Sequence, residues 1–104
     1  MIRLEPARGD KVKVTFQLPA DQPEGKVTVV GDFNDWDPNS TALRKRGDSR
    51  SVSMTLDPGR RYAFRYRTAT GEWFNDESAH AYERNEFGDD NAIIDLTDGA
   101  AGSA

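Results

Sequence analysis

Residues 61–68, Arg-Tyr-Ala-Phe-Arg-Tyr-Arg-Thr, alternate with a period of two. Tyr62, Phe64 and Tyr66 fall on one side. Arg61, Ala63, Arg65 and Arg67 fall on the other. Successive side chains of an extended chain point to opposite faces, so this segment is a strand with one face in a core and one in water. A helix would mix the two sets. Residues 11–18 repeat the pattern, with Val12, Val14, Phe16 and Leu18 opposite Lys11, Lys13, Thr15 and Gln17. Two strands this regular commit the chain to a β architecture.

The rest of the chain is read around them. Residues 1–10 are a loose arm or a leader strand. Pro19, Pro23 and Gly25 break the first long strand. Lys26 to Gly31 is a valine-rich strand, and Asp32 to Ser40 is a polar turn. Thr41 to Arg46 reads as a short strand around Leu43. Ser51 to Leu56 alternates with Val52, Met54 and Leu56 inward. Asp57-Pro58-Gly59-Arg60 is a type II turn, because proline pre-sets φ at its first central position and glycine accepts positive φ at the second. Gly71 closes another turn, and Glu72-Trp73-Phe74 begins a return strand. Residues 75–90 are polar with little strand pattern. Asn91 to Leu96 is the last strand, and the small, polar residues 98–104 form a flexible tail. No helical period persists. The expected fold is an all-β antiparallel sandwich or barrel over residues 11–97.

Several functions are disfavoured. The 104 residues suit one domain. A net charge of −4 argues against nucleic acid as a partner. Arg61, Arg65 and Arg67 on one strand face give single-stranded nucleic acid some appeal, but a solvated face paired with carboxylates is the plainer reading. There is no cysteine, so disulfides and thiol chemistry are excluded. No signal-peptide core and no apolar stretch of membrane-spanning length is present. A soluble, cytoplasmic protein without membrane contact is expected, most simply as a monomer.

Catalysis lacks its usual parts. His80, the sole histidine, lies in a loop without a cysteine partner. The carboxylates cluster in polar turns, where solvated and turn-forming roles dominate, and a domain this small seldom encloses a glycosidase cleft. The oxygen-rich segment Asp32 to Asp37 fails calcium-loop spacing: Trp36 takes the third ligand position and Leu43 stands where the bidentate glutamate belongs. The chain is read as having no catalytic residue, metal or cofactor.

The aromatic residues say more. Trp36 sits between Asp35 and Asp37 with Pro38-Asn39-Ser40 after it, so a large aromatic stands in a strongly polar turn. Trp73 and Phe74 face opposite ways, which places one of them outside the core. A pyranose ring has an apolar face and a rim of hydroxyls, so an indole with polar groups at its edge suits it. An amide such as Asn91 can donate to one hydroxyl and accept from the next. A guanidinium such as Arg65 offers several fixed donors.

The order of these segments resembles carbohydrate-binding module family 48. Val27 to Trp36 is similar to its opening motif. Leu56-Asp57-Pro58-Gly59, Tyr62 to Tyr66, Gly71-Glu72-Trp73 and Phe87 to Ile94 follow in the family's order. The resemblance implies an immunoglobulin-like, early-set sandwich that binds α-glucan without catalysis. By position it implies Trp36 and Trp73 as stacking platforms, Arg65 in place of a sugar-contacting lysine, Phe87 reaching into the glucan's curve, and Asn91 bonding hydroxyls. Phe33 becomes a core anchor, while Asn34 and Asp35 hold the turn. The turn before Trp73 is a residue longer than in the family's glycogen-binding domains of AMP-activated protein kinase β subunits, and Asp89 is charged where those are neutral. The partner implied is an α-glucan polysaccharide or oligosaccharide, bound by a free-standing module. The alternative is a structural early-set module that docks onto a separate glucan-metabolising enzyme.

Overall fold

Alternating sequence becomes alternating burial. The computed structural model describes residues 2–20, 25–77 and 79–97. Its strands are β1 (Ile2–Pro6), β2 (Val12–Pro19), β3 (Val27–Gly31), β4 (Arg44–Arg46), β5 (Ser49–Leu56), β6 (Arg61–Thr68), β7 (Trp73–Phe74), β8 (Ala81–Arg84) and β9 (Asp90–Asp95). One antiparallel sheet runs β1-β2-β5-β4. The other runs β3-β6-β9-β8, with β7 added beside β6. The two face each other as an immunoglobulin-like sandwich, all-β as the sequence implied. The chain measures 37 × 36 × 21 Å, and the thin dimension is that of two sheets about 10 Å apart with their outer side chains.

Val12, Val14 and Phe16 of β2 meet Tyr62, Phe64 and Tyr66 of β6 across the core. The Phe16 ring lies 5.0 Å from Phe64 and 5.5 Å from Phe33, centroid to centroid. Fully burying a side chain of this size is worth about 1.5–3 kcal/mol, so this aromatic cluster is a main source of stability. Phe33 belongs to it from the turn after β3, as a core anchor. The Tyr62 hydroxyl accepts from the Asp57 backbone N–H at 3.1 Å and donates to the Asp57 carbonyl at 3.2 Å, tying the Asp57–Arg60 turn to the core. Gly59 there has φ +81°, as a type II turn requires.

β6 is the spine of the second sheet and positions the site. One edge pairs with β3 from Phe64 to Thr68. The other edge pairs with β9 from Arg61 to Phe64 and with β7 at Tyr66 and Arg67. Arg65 therefore stands at the junction between β9 and β7, on the outer face. Val30 and Ile93, which also point outward, are buried, so this outer face is partly covered. The side chain of Arg65, directly opposite Val30, is itself only 14% exposed, which fits a buried aliphatic stem with a polar head.

Two segments depart from the sequence reading. Residues 41–43 are not strand. They run along the free edge of β3, with the Leu43 N–H donating to the Val27 carbonyl and the Val29 N–H to the Thr41 carbonyl, both at 2.9 Å. The chain then crosses to the first sheet as β4. Residues 75–90, read as patternless, contain β8. Its four residues have no buried member, because it is an edge strand and no core face imposed alternation. At the N-terminus Ile2–Pro6 is a sheet strand paired with β2. The tail at 98–104 lies outside the described residues.

Candidate functional site

Trp36 is placed by its own turn. Asp35 and Trp36 both lie in the left-handed region, with φ of 57° and 58°. Non-glycine residues rarely adopt it, and a pair in succession is held only when the surroundings over-determine it. Here they do. The Trp36 N–H donates to the Gly31 carbonyl at 2.9 Å. Asn34 accepts from the Gly31 N–H at 3.0 Å and donates to the Val29 carbonyl at 2.9 Å and to Thr41 Oγ1 at 3.2 Å. The Trp36 indole N–H donates to Asp32 Oδ1 at 2.9 Å, while Asp32 Oδ2 accepts from the Ala63 N–H at 2.8 Å. One carboxylate thus pins the ring to the β6 edge just past the end of β3. Trp36 is half-buried and not part of the core cluster, less exposed than its polar flanks imply.

Trp73 is placed by β7. Phe74 turns inward onto Tyr66, with ring centroids 5.2 Å apart, and Trp73 turns outward at 42% exposure. Its indole lies near two guanidinium groups, at 6.0 Å from Arg65 and 5.6 Å from Arg67. Arg65 is held in turn: its Nε donates to Asn75 Oδ1 at 3.2 Å, and its Nη1 lies 3.7 Å from an Asp89 carboxylate oxygen. Asn75 donates to the Asp90 carbonyl at 2.8 Å. Behind this corner the Tyr66 hydroxyl donates to the buried Asp76 at 2.6 Å. Burial first, then the hydrogen bond to Asp76 and its charge, pushes the Tyr66 phenol well above its ordinary range.

The β8–β9 hairpin supplies the third wall. Asn85 Oδ1 accepts from the Phe87 and Asp89 N–H groups at 2.9 and 3.1 Å, and Asn85 Nδ2 donates to Asn91 Oδ1 at 3.1 Å. Gly88 takes the left-handed position of the tip, φ +87°. Phe87 stands 83% exposed there, the most exposed large apolar side chain among the described residues. Asn91 is half-buried at the start of β9.

These pieces meet in one open cleft of about 760 Å³, whose lining includes Asp32, Trp36, Arg65, Trp73, Phe87 and Asn91. All five candidate residues from the sequence are there. Asn85, Glu86 and Asp89 also line it. The sequence reading weighed Asp32 only as part of a calcium loop and gave no role to Asn75 or Asn85. An Asn three residues before a loop glycine is a turn signal for Asn85, but nothing local marks Asp32 as a partner of β6. His80, read as idle, accepts from the Asp95 N–H at 2.9 Å through Nδ1 and extends the β8–β9 contact. Among the described residues no group of three His, Asp or Glu is placed to hold a metal ion, and no helix is long and apolar enough to cross a membrane.

A β-sandwich with an open cleft on one outer face, lined by aromatic and polar side chains, is the form of a surface binding module. The sequence model of carbohydrate-binding module 48 (isoamylase N-terminal domain) matches residues 4–86, most of the chain. The protein belongs to carbohydrate-binding module family 48, and its fold is that family's early-set immunoglobulin-like sandwich. The matched stretch covers Trp36, Arg65 and Trp73; Phe87 and Asn91 follow it directly. No curated protein matches the chain.

Proposed function

We propose that this cleft binds α-1,4-glucan, such as glycogen or starch-type maltooligosaccharides, without acting on it. The observation that carries the reading is the meeting of two tryptophans, an arginine, an asparagine and an exposed phenylalanine in one open cleft, drawn from a turn, two strands and a hairpin far apart in sequence. Glucose rings stack on Trp36 and Trp73. Arg65 donates to ring hydroxyls with the nitrogens not engaged by Asn75. Asn91, its carbonyl oxygen already bonded to Asn85, donates through its amide nitrogen. Phe87 enters the concave side of the curved chain.

An open site buries little of its ligand, so single chains bind weakly. A branched polymer presents many chain ends and gains by avidity. The cysteine-free sequence suits a reducing compartment, and the cytoplasm goes with this reading. Titration with maltoheptaose, followed by tryptophan fluorescence, is expected to give a saturable change. A folded protein that shows no change at millimolar sugar sinks the proposal.

A further inference from the structure

We propose that Arg67 is a positioning residue that sets the Trp73 platform from outside the cleft. The inference rests on the glucan reading for its sugar-binding consequence, but its structural half stands on contacts within the protein alone.

Among the described residues the Trp73 indole makes no side-chain hydrogen bond. β7 is two residues long, and its inward anchor is Phe74, not Trp73. The turn before it is well tied: the Thr68 N–H donates to the Glu72 carbonyl at 2.8 Å, and the Glu72 N–H to Thr68 Oγ1 at 3.0 Å. These bonds fix where Trp73 leaves the backbone. They do not fix which staggered rotamer the indole takes.

Arg67 supplies that constraint. It is the Cα partner of Trp73 across the β6–β7 ladder, the geometry at which cross-strand side chains touch. Its guanidinium lies closer to the indole than that of Arg65, and a cation over an indole face is attracted by the ring quadrupole. Arg65 is already engaged by Asn75 and Asp89. For Arg67, no ion pair is formed among the described residues, so the indole is its main charge-directed contact. The cleft lining includes Trp73 and Arg65 but not Arg67. Arg67 therefore supports the ring from the side a sugar does not approach.

Gly71 makes the room. A Cβ built there would lie 3.3 Å from Arg67 Nη2, and φ at Gly71 is +92°. The residue that allows the turn also lets the guanidinium fold back under it. A platform held in its binding rotamer loses less conformational freedom when sugar arrives, which raises affinity without any new sugar contact.

The test is a double-mutant cycle in the full chain. Arg67→Met keeps the aliphatic stem and removes the charge. It is expected to weaken maltoheptaose binding about 3- to 5-fold in the otherwise native protein and by less than about 1.5-fold in a Trp73→Ala background. Arg67→Lys, still cationic, is expected to restore part of the loss. An equal loss in both backgrounds means that Arg67 touches sugar directly and overturns the proposal, as does no loss at all. A second readout needs no sugar. With Trp36→Phe leaving Trp73 as the single tryptophan, Arg67→Met is expected to lower the fluorescence anisotropy of the free protein. Unchanged anisotropy also overturns the proposal. If the native protein ignores maltoheptaose, the glucan reading fails, and the anisotropy still judges Arg67 on its own.

Discussion

Trp36 and Trp73 line the same cleft but are built by opposite means. Trp36 rides on a loop, yet its loop is held at every step. Two consecutive left-handed residues, the bonds from Asn34 and the Asp32 bridge to β6 leave it one position. Trp73 rides on a strand, normally the more rigid element, yet the strand has two residues and the ring stands 42% exposed beside two guanidinium groups. Rigidity at this site follows the density of hydrogen bonds around a side chain and not its secondary structure. The cleft pairs an indole held by hydrogen bonds with one set beside guanidinium groups.

The hardest test of that contrast is Asn34→Ala. It removes three hydrogen bonds from the Trp36 turn at about 1 kcal/mol each, so a loss of roughly 3 kcal/mol is expected in chemical denaturation. A loss below about 1 kcal/mol would mean the turn is not held as described. Next come the platforms themselves. Trp36→Ala is expected to weaken maltoheptaose binding by about 2 kcal/mol, near 30-fold, and Trp73→Ala by about 1 kcal/mol, near 5-fold, because the pre-set ring loses less freedom on binding. Calorimetric titration of the two variants would reverse the contrast if Trp73→Ala proved the worse.

Gly71→Ala acts only on the Trp73 side. The positive φ of Gly71 and the nearby guanidinium make a methyl group there cost about 1 kcal/mol in thermal stability. Sugar affinity is expected to fall with it, whereas a variant that melts and binds like the native protein would remove the turn from the account. The smallest effect is on pH. Phe74 and β7 rest on Tyr66, whose phenol is held neutral by burial and by Asp76. Its folded pKa is raised, so the folded state keeps this proton longer than the unfolded chain. Stability from this group is complete below the unfolded value of about 10 and declines as pH rises above it. Urea midpoints measured from pH 8 to 11 should hold level and then drop, and Tyr66→Phe should flatten the drop.

Much of the fold was legible where the core imposed a pattern. β6 occupies Arg61–Thr68, the segment with the strictest alternation in the chain, and β2 shows the same alternation in burial. Leu43 misled because an isolated buried leucine looks the same on a strand or on a segment laid along a strand's edge. β8 was invisible because Tyr82, Glu83 and Arg84 bury no face. The candidate residues were legible as residue types at family positions. Of the parts that hold them, Asn34 was legible as a turn holder and its bonds are local, whereas Asp32 and Asn75 also act through partners brought close by folding, the Ala63 N–H and the Asp90 carbonyl.

By itself, the sequence determined a two-faced β chain with aromatics on one side of its best strand and arginines on the other, because side-chain alternation is a local property of extended backbone. It also placed Trp36 in a strongly polar turn, and the ring lies outside the core cluster. Only the tertiary structure decided that Trp36, Arg65, Trp73, Phe87 and Asn91 share one cleft. It decided too that one indole is clamped by a carboxylate while the other leans on arginine. The shared cleft depends on the order of strands around β6, which long-range pairing fixes. The indole contacts depend on side-chain placement within the Asp32–Trp36 turn and across the β6–β7 hairpin, which a pattern of residue types does not specify.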